Sequence, residues 1–293
     1  MDRPQKIINI PEAVNKIKDG TTLGLSGFSY MNPPMTLVRE IIRSGIKNLT
    51  LVSGPTSGIE TDLLIGAGCV KKVVTACVAF ENVAAIGPNF RRFAEQGKIE
   101  VWECDESIWH MALKAGSYGV PYMLWGGGIG TDLSKLNPAL QEIEVDGKRW
   151  LKVPAIQPDV TILHAGIADS FGNVQFPPEL FLGRKFCEEA LARATKGEVI
   201  VQVEKVVPNE AIVANKERTI LNNCWIVKSR FGAHPGGATG FYMPDLDHFR
   251  EYVEAVEKER FQQYLEKYIL NPKEPTTYLE LVGINKLLSL EYY

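Results

Sequence analysis

Along the first 120 residues or so, short apolar runs alternate with stretches in which apolar residues recur at helical spacing. Residues 22–26, 49–52, 73–78 and 99–102 read as buried strands. Between them, residues 11–18 open on Pro11 and stop before Gly20, which predicts a short helix. Leu37, Val38, Ile41 and Ile42 share one helical face, and Gly45 ends it. Residues 62–65, 90–95 and 108–115 read as three further helices. This alternation predicts an α/β fold, a mostly parallel sheet flanked by helices on both faces. Ligands of such sheets bind beyond the carboxyl ends of the strands. The loops to inspect are therefore 27–34, 53–58, 80–88, 104–107 and 126–131.

The middle of the chain changes character. Residues 136–158 carry Pro138, Pro154 and Pro158, with Asp146-Gly147 between alternating residues, which predicts a long connection containing a small hairpin. Strands resume at 160–164, 199–203 and 225–227. From 247 to 269 the pattern is helical, with Phe249, Tyr252, Val253, Val256 and Phe261 near one side. No internal repeat or low-complexity tract interrupts the chain. The expected organisation is one unit over residues 1–293 with a C-terminal helical extension from about residue 246.

Composition narrows the function classes. A chain of 293 residues, 45% hydrophobic and 23% charged, can bury a sizeable core. Its net charge of -3 gives no footprint for nucleic acid or a membrane surface. No run reaches the roughly 18 to 20 apolar residues that span a bilayer. The start has no apolar core of a signal peptide. Cys69, Cys77, Cys104, Cys187 and Cys224 are widely spaced, without a CxxC pair or histidines at metal spacing. They are expected to be reduced thiols in a cytoplasmic protein, with no metal site.

Several loops could carry chemistry. In Gly126-Gly127-Gly128-Ile129-Gly130-Thr131, glycine lets backbone N–H groups approach an oxyanion or phosphate; the bland account is a flexible turn. It is not a dinucleotide fingerprint, because Asn137-Pro138 interrupts soon after. His234, in Gly232-Ala233-His234-Pro235, could donate to a carboxylate or act as a base, or be a satisfied structural histidine. His164, at the end of an apolar run, reads as packed core. Asp105 or Ser107 could cap a helix beginning there, and Glu106 could face a site as a base. Glu81 follows a strand and reads equally as a solvated loop acid. Asp169-Ser170-Phe171-Gly172-Asn173 reads as a turn built on local hydrogen bonds.

Six stretches in one order resemble the family I CoA-transferases. Leu25-Ser26-Gly27-Phe28 followed by Pro34-Met35-Thr36-Leu37-Val38 is similar to the family's opening glycine turn and first large helix. Asp62 through Lys72 resembles its next stretch. Ala115-Gly116-Ser117-Tyr118-Gly119-Val120-Pro121 with Gly128-Ile129-Gly130-Thr131 resembles its helix end and glycine loop. His164-Ala165 with Asp169 and Gly172-Asn173, Val203-Glu204-Lys205-Val206-Val207, and Gly232-Ala233-His234-Pro235 are similar to three later motifs. The tail, Tyr278-Leu279 through Leu287, looks most like the alpha-subunit branch of the glutaconate CoA-transferases.

The resemblance implies the NagB/RpiA-like superfamily fold and an A-type (alpha) subunit of a CoA-transferase. CoA or acyl-CoA is then a substrate, no cofactor is permanently bound, and the acceptor is a free acid, dicarboxylic acids included. A B-type (beta) partner, in a heterodimer or heterotetramer, would supply the glutamate that attacks the acyl-CoA and forms a glutamyl-CoA thioester. This chain has no comparable motif. It would contribute one wall of the site through Gly27, Phe28, Ser29, Gly127, Gly128, Gly130, Thr131 and His234. Glu106 departs from the glutaconate pattern, where a glutamine is expected. It resembles instead the acid of steroid ring-opening hydrolases, so C–C hydrolysis of a cyclic CoA ester with Glu106 as base stays open. A glutaconyl-CoA-type decarboxylase and a non-catalytic structural subunit stay open beside it.

Overall fold

The computed structural model describes residues 3–177 and 184–292. Seven parallel strands form the body of a nine-stranded sheet: β1 (Thr22–Leu25), β2 (Leu49–Ser53), β3 (Val70–Val74), β4 (Glu100–Trp102), β5 (Val160–Ala168), β6 (Glu198–Val206) and β7 (Trp225–Lys228). Their order is β4-β3-β2-β1-β5-β6-β7. The chain builds outward from β1 to β4, returns to the other side of β1 with β5, and builds outward again. Two short antiparallel strands, Val174–Gln175 and Thr219–Leu221, extend the sheet beside the far end of β5.

Side chains alternate between two cores, as strands covered on both faces require. Leu23, Leu25, Leu51, Ile162, Ile200 and Val227 enter one cluster, with α1 (Ile10–Val14), α2 (Met35–Arg43) and α3 (Ile59–Gly66). Val52, Leu163, Val201, Val203 and Ile226 enter the other, with α5 (Glu106–Tyr118) and the Arg184–Ala194 helix. Between α3 and α5 lies α4 (Pro88–Glu95). The caps follow the sequence. Asp105 accepts from Ile108 N (2.7 Å), and Gly119 closes α5 in the left-handed conformation. Asn9 and Glu12 form a reciprocal capping box on α1.

The C-terminal helices are built into the first core. Phe249, Tyr252, Val256, Phe261, Tyr264 and Tyr278 share that cluster with strand residues. The continuous helix suggested for 247–269 is broken, however. One helix runs Leu246–Glu257, a left-handed Glu259 (φ 56°) turns the chain, and Phe261–Leu265 starts a second.

Two other expectations change. The run 73–78 is not one strand: β3 ends at Val74, and Thr75 turns away by donating to Gly54 O (2.8 Å). Cys77–Val78 then pairs with Thr56–Ser57 in a separate two-stranded sheet. The expected hairpin exists, with Asp146 (φ 51°) and Gly147 (φ 73°) at its turn between Gln141–Val145 and Lys148–Pro154. It takes Tyr122–Trp125 as a third antiparallel strand, so the glycine loop at 126–131 follows a strand of this side sheet and not of the parallel one.

Candidate active site

The strand order reverses between β1 and β5. A crevice at such a switch point, beyond the carboxyl ends of the strands, is where open α/β sheets bind ligands. The turn after β1, Gly27-Phe28-Ser29, occupies it, and two further glycines let neighbouring segments close on that turn. Gly27 (φ 142°) lies against Glu60, so a β carbon there would sit 2.5 Å from the Glu60 carboxyl carbon. Side chains at Gly54 and Gly58 would collide with the carbonyl oxygens of Gly27 and Ser29. Ser29, itself left-handed (φ 53°), donates its N–H to Thr56 O (2.9 Å). The Tyr30 hydroxyl donates to Phe80 O and accepts from Val83 N, which brings in the third loop.

The buried surroundings of this turn hold unsatisfied polar atoms. Ser29 Oγ, Ser53 Oγ, Thr61 Oγ1 and Glu60 Oε2 are all buried without a hydrogen-bond partner. Native interiors rarely leave such groups orphaned, and several around one turn mark a place where a ligand, water or partner completes the set. Glu60 is fully buried, and Oε1 accepts from Gly58 N (2.7 Å). Burial pushes its carboxyl up to about 8, which the Gly58 hydrogen bond only partly opposes, so it carries a proton at neutral pH.

Of the residues expected at the site, Gly27, Phe28 and Ser29 meet at the switch point. Gly127, Gly128, Gly130 and Thr131 lie elsewhere, at the sheet's edge with Glu106. Trp125 Nε1 donates to Ser107 Oγ (2.8 Å), which donates to Asp105 (2.7 Å), and Gly128 approaches Ile108. Glu106 is half-exposed, 3.8 Å from His110 Nε2. Burial lowers the affinity of His110 for a proton, and Glu106 partly restores it. β4, which precedes α5, is the edge strand and is separated from β1 by β2 and β3, so this cluster follows a different strand from the switch-point turn.

His234 is in a third place, with no exposure at all. Its Nδ1 pairs with the Tyr278 hydroxyl (2.8 Å) and its Nε2 with Asp245 (3.3 Å). His248 pairs with Tyr264 (2.8 Å). His234, Asp245 and His248 offer atoms within 4.8 Å of one another, a spacing that could hold a cation. The charges already present argue otherwise. Lys286 Nζ lies 3.1 Å from Asp245, and the buried Arg39 donates to His234 O (3.0 Å) while stacking on the Tyr278 ring. Two cations for one carboxylate leave little field for a third. The cluster latches the C-terminal helices to α2. The loop that follows His234 braces the β1 turn: Asn32 N donates to Gly237 O, Gly237 N to Tyr30 O and Thr239 N to Asn32 Oδ1 (2.8–2.9 Å).

Two acids owe their roles to contacts that only the structure reveals. One is Glu60; its sequence signal is one of two acids, with Asp62, in the first turn of a helix that is apolar from Leu63 on. The other is Glu204, which accepts from Phe231 N (2.7 Å), Gly232 N (3.1 Å) and the Tyr242 hydroxyl (2.8 Å) and so fastens the His234 loop. His164 is buried, with Gln202 2.8 Å from its Nδ1 and Glu204 3.2 Å from its Nε2, as a packed residue should be.

Comparison with known proteins agrees with this architecture. The family model described as Coenzyme A transferase matches residues 7–221. An uncharacterised protein of Archaeoglobus fulgidus is 33% identical over 290 residues, 97% of this chain, which spans only 63% of that protein's length. The A-type subunit of the 3-oxoadipate CoA-transferase of Pseudomonas knackmussii is 31% identical over 92% of this chain and 95% of its own. The IpdA component of the cholesterol ring-cleaving hydrolase of Rhodococcus jostii is 27% identical over 92% and 93%. The crystal structure of glutaconate coenzyme A-transferase from Acidaminococcus fermentans superposes with a TM-score of 0.90 at 25% identity, covering 98% of this chain and 96% of that one. No helix among the described residues is long and apolar enough to cross a membrane. The chain belongs to the coenzyme A transferase family, and its likeness there is to the A-type subunits.

Proposed function

We propose that this chain is the A-type subunit of an enzyme that moves CoA between an acyl-CoA and a free acid, dicarboxylic acids included, and that a B-type chain completes the site. The observation that carries this reading is the switch-point turn. It is closed on by neighbouring glycine turns beside orphaned hydroxyls, and the acid packed against Gly27, Glu60, is buried with its carboxyl raised to about 8. A nucleophilic carboxylate must be ionised and must reach the thioester carbonyl. Glu60 meets neither condition, so the nucleophile comes from outside this crevice, and a partner glutamate meets the need. This chain then contributes shape and hydrogen-bond donors. The assembly is a heterodimer or a heterotetramer, and CoA enters as substrate. The relatives named as A-type subunits support the division of labour.

The test is co-expression with the B-type chain, followed by exchange between candidate acyl-CoA esters and dicarboxylates. Ping-pong kinetics and a hydroxylamine-sensitive thioester on the partner are expected. Full turnover by the purified chain alone would refute the proposal. A second reading, C–C hydrolysis of a cyclic CoA ester, has its own observation: Glu106 is half-exposed beside the glycine loop, and a component of a ring-cleaving hydrolase is among the relatives. It expects Glu106→Gln to cost about a hundredfold or more in hydrolysis, the scale of a general base.

A further inference from the structure

We propose that Glu60 is a positioning residue for the carboxylic acid substrate, acting as a neutral acid beneath the Gly27–Ser29 turn. The inference rests on the transferase reading above and adds a residue to it. Three observations converge on Glu60. Its carboxyl occupies the space a side chain at position 27 would need, so the turn and the acid are built for each other. Oε1 holds the N–H of Gly58, whose α carbon faces the carbonyl of Ser29, so one carboxyl supports both walls of the crevice. Oε2 has no partner although it is buried, and Thr61 Oγ1, next in sequence, and Ser29 Oγ, in the turn itself, are in the same condition.

The surroundings decide its protonation state. Gly27 of the β1 turn and Gly58 lie against Glu60 and carry no charge, and α3 itself packs on α2, α4 and the Cys77–Val78 strand. The charged group acting on it is Asp62, two residues along α3 and also an acid. Asp62 is engaged by Asn89 N, Phe90 N and the Tyr252 hydroxyl. No cation among the described residues pairs with Glu60. Burial without a counterion favours the neutral form, consistent with a value raised to about 8. The consequence for the reaction is electrostatic. An incoming carboxylate meets a turn backed by a neutral group. Once Glu60 ionises, the same turn is backed by an unscreened negative charge in a low-dielectric interior, and the acid substrate is repelled.

The experiment uses the assembled enzyme. kcat/KM for the carboxylic acid acceptor is measured from about pH 6 to about pH 10, spanning the carboxyl's raised range. The wild type is expected to fall about tenfold per pH unit above a break near pH 8, through KM more than kcat. Glu60→Gln is neutral at every pH and keeps the hydrogen bond from Gly58. It is expected to stay within about threefold of wild type at neutral pH and to lack this limb. Glu60→Ala, which orphans the Gly58 N–H, is expected to lose about tenfold or more throughout. An unchanged alkaline limb in Glu60→Gln, or a Glu60→Gln as impaired as Glu60→Ala, overturns the proposal. Difference infrared spectroscopy supplies a readout independent of turnover and of the variant's folding. A protonated-carboxyl carbonyl band should be present in wild type at neutral pH and vanish on alkaline titration. A missing band sinks the Glu60 assignment even where turnover is normal. A band that titrates in an assembly that transfers no CoA sinks the transferase reading instead.

Discussion

Replacing Glu204 by alanine removes the acceptor that ties the end of β6 to the loop carrying His234. Three buried donors lose their partner: Phe231 N, Gly232 N and the Tyr242 hydroxyl, at 2.7, 3.1 and 2.8 Å. A buried donor left unsatisfied costs about 1–3 kcal/mol. A cavity of about 390 Å³ adjoins the site, lined by Lys205, Lys228, Phe241 and Tyr242 among others, and one of the three donors is counted as satisfied by water entering from it. Two full penalties give a loss of about 4 kcal/mol. With an unfolding entropy of about 2.1 cal/mol/K per residue, the 293-residue chain gains roughly 0.6 kcal/mol/K on melting, so Tm should drop by about 6 °C. Glu204→Gln keeps one acceptor but turns an amide N–H₂ toward donors, and should fall between alanine and wild type. Scanning calorimetry of the purified protein reads both. A drop below about 2 °C for Glu204→Ala, or a glutamine variant worse than alanine, would refute the reasoning.

Three more outcomes follow from the same geometry. Gly27→Ala places a methyl against the Glu60 carboxyl (2.5 Å to its carbon) and should cost about 2–4 kcal/mol by chemical denaturation; the double variant with Glu60→Ala should recover part of that loss, and strict additivity would count against the contact. Asp62→Ala removes the acceptor from the first N–H groups of α4 and from Tyr252, with an expected loss of about 3 kcal/mol by urea unfolding. Burial, above all, depresses the proton affinity of His248 far below its usual 6.5 and lowers that of His234. The unfolded chain therefore takes up more protons than the folded one on acidification, so this stability is present above about pH 6.5 and is lost as pH falls through the folded values. Tm measured against pH should show that acid limb, and His248→Gln should make it shallower.

What the sequence made legible was local. The β1, β2, β5, β6 and β7 strands, the Asp105 cap, the Asp146-Gly147 turn and the Asp169 turn each rest on neighbours in the chain. Asp169 accepts from Phe171 N (2.9 Å), Asn173 N (3.0 Å) and the Asn173 side chain (2.7 Å) within four residues, and the Asn209 side chain (2.6 Å) adds the one distant bond among the described residues. What was hidden depends on contacts far apart in sequence. Nothing near Thr75 announces that its hydroxyl will bond Gly54 and end β3 early. The Tyr122–Trp125 strand has the same apolar look as its parallel predecessors, and only its pairing with Lys148–Pro154 takes it out of the main sheet. Glu60 is 33 residues from the glycine whose missing side chain makes room for it, and helical periodicity carries no record of such a pair. The six family motifs reached the fold and the type of subunit because their order reflects the whole topology, yet they could not say which of them meet in space.

That last point separates the competing chemistries. Gly27 to Ser29 follow β1 at the switch point, while Glu106 follows the edge strand β4 and the glycine loop packs by its helix start. A short acyl group cannot react at both. If transfer occurs at the switch point, variants of Ser29 and Gly27 should depress exchange by about tenfold or more while Glu106→Gln leaves it within about threefold. If the reacting carbon instead sits under the glycine loop, that ranking reverses. The reversal would be visible in a single plate of variants assayed with one acyl-CoA ester. Equal losses at both places would mean that neither cluster holds the reacting atoms and that both act by shaping the face on which the partner chain docks.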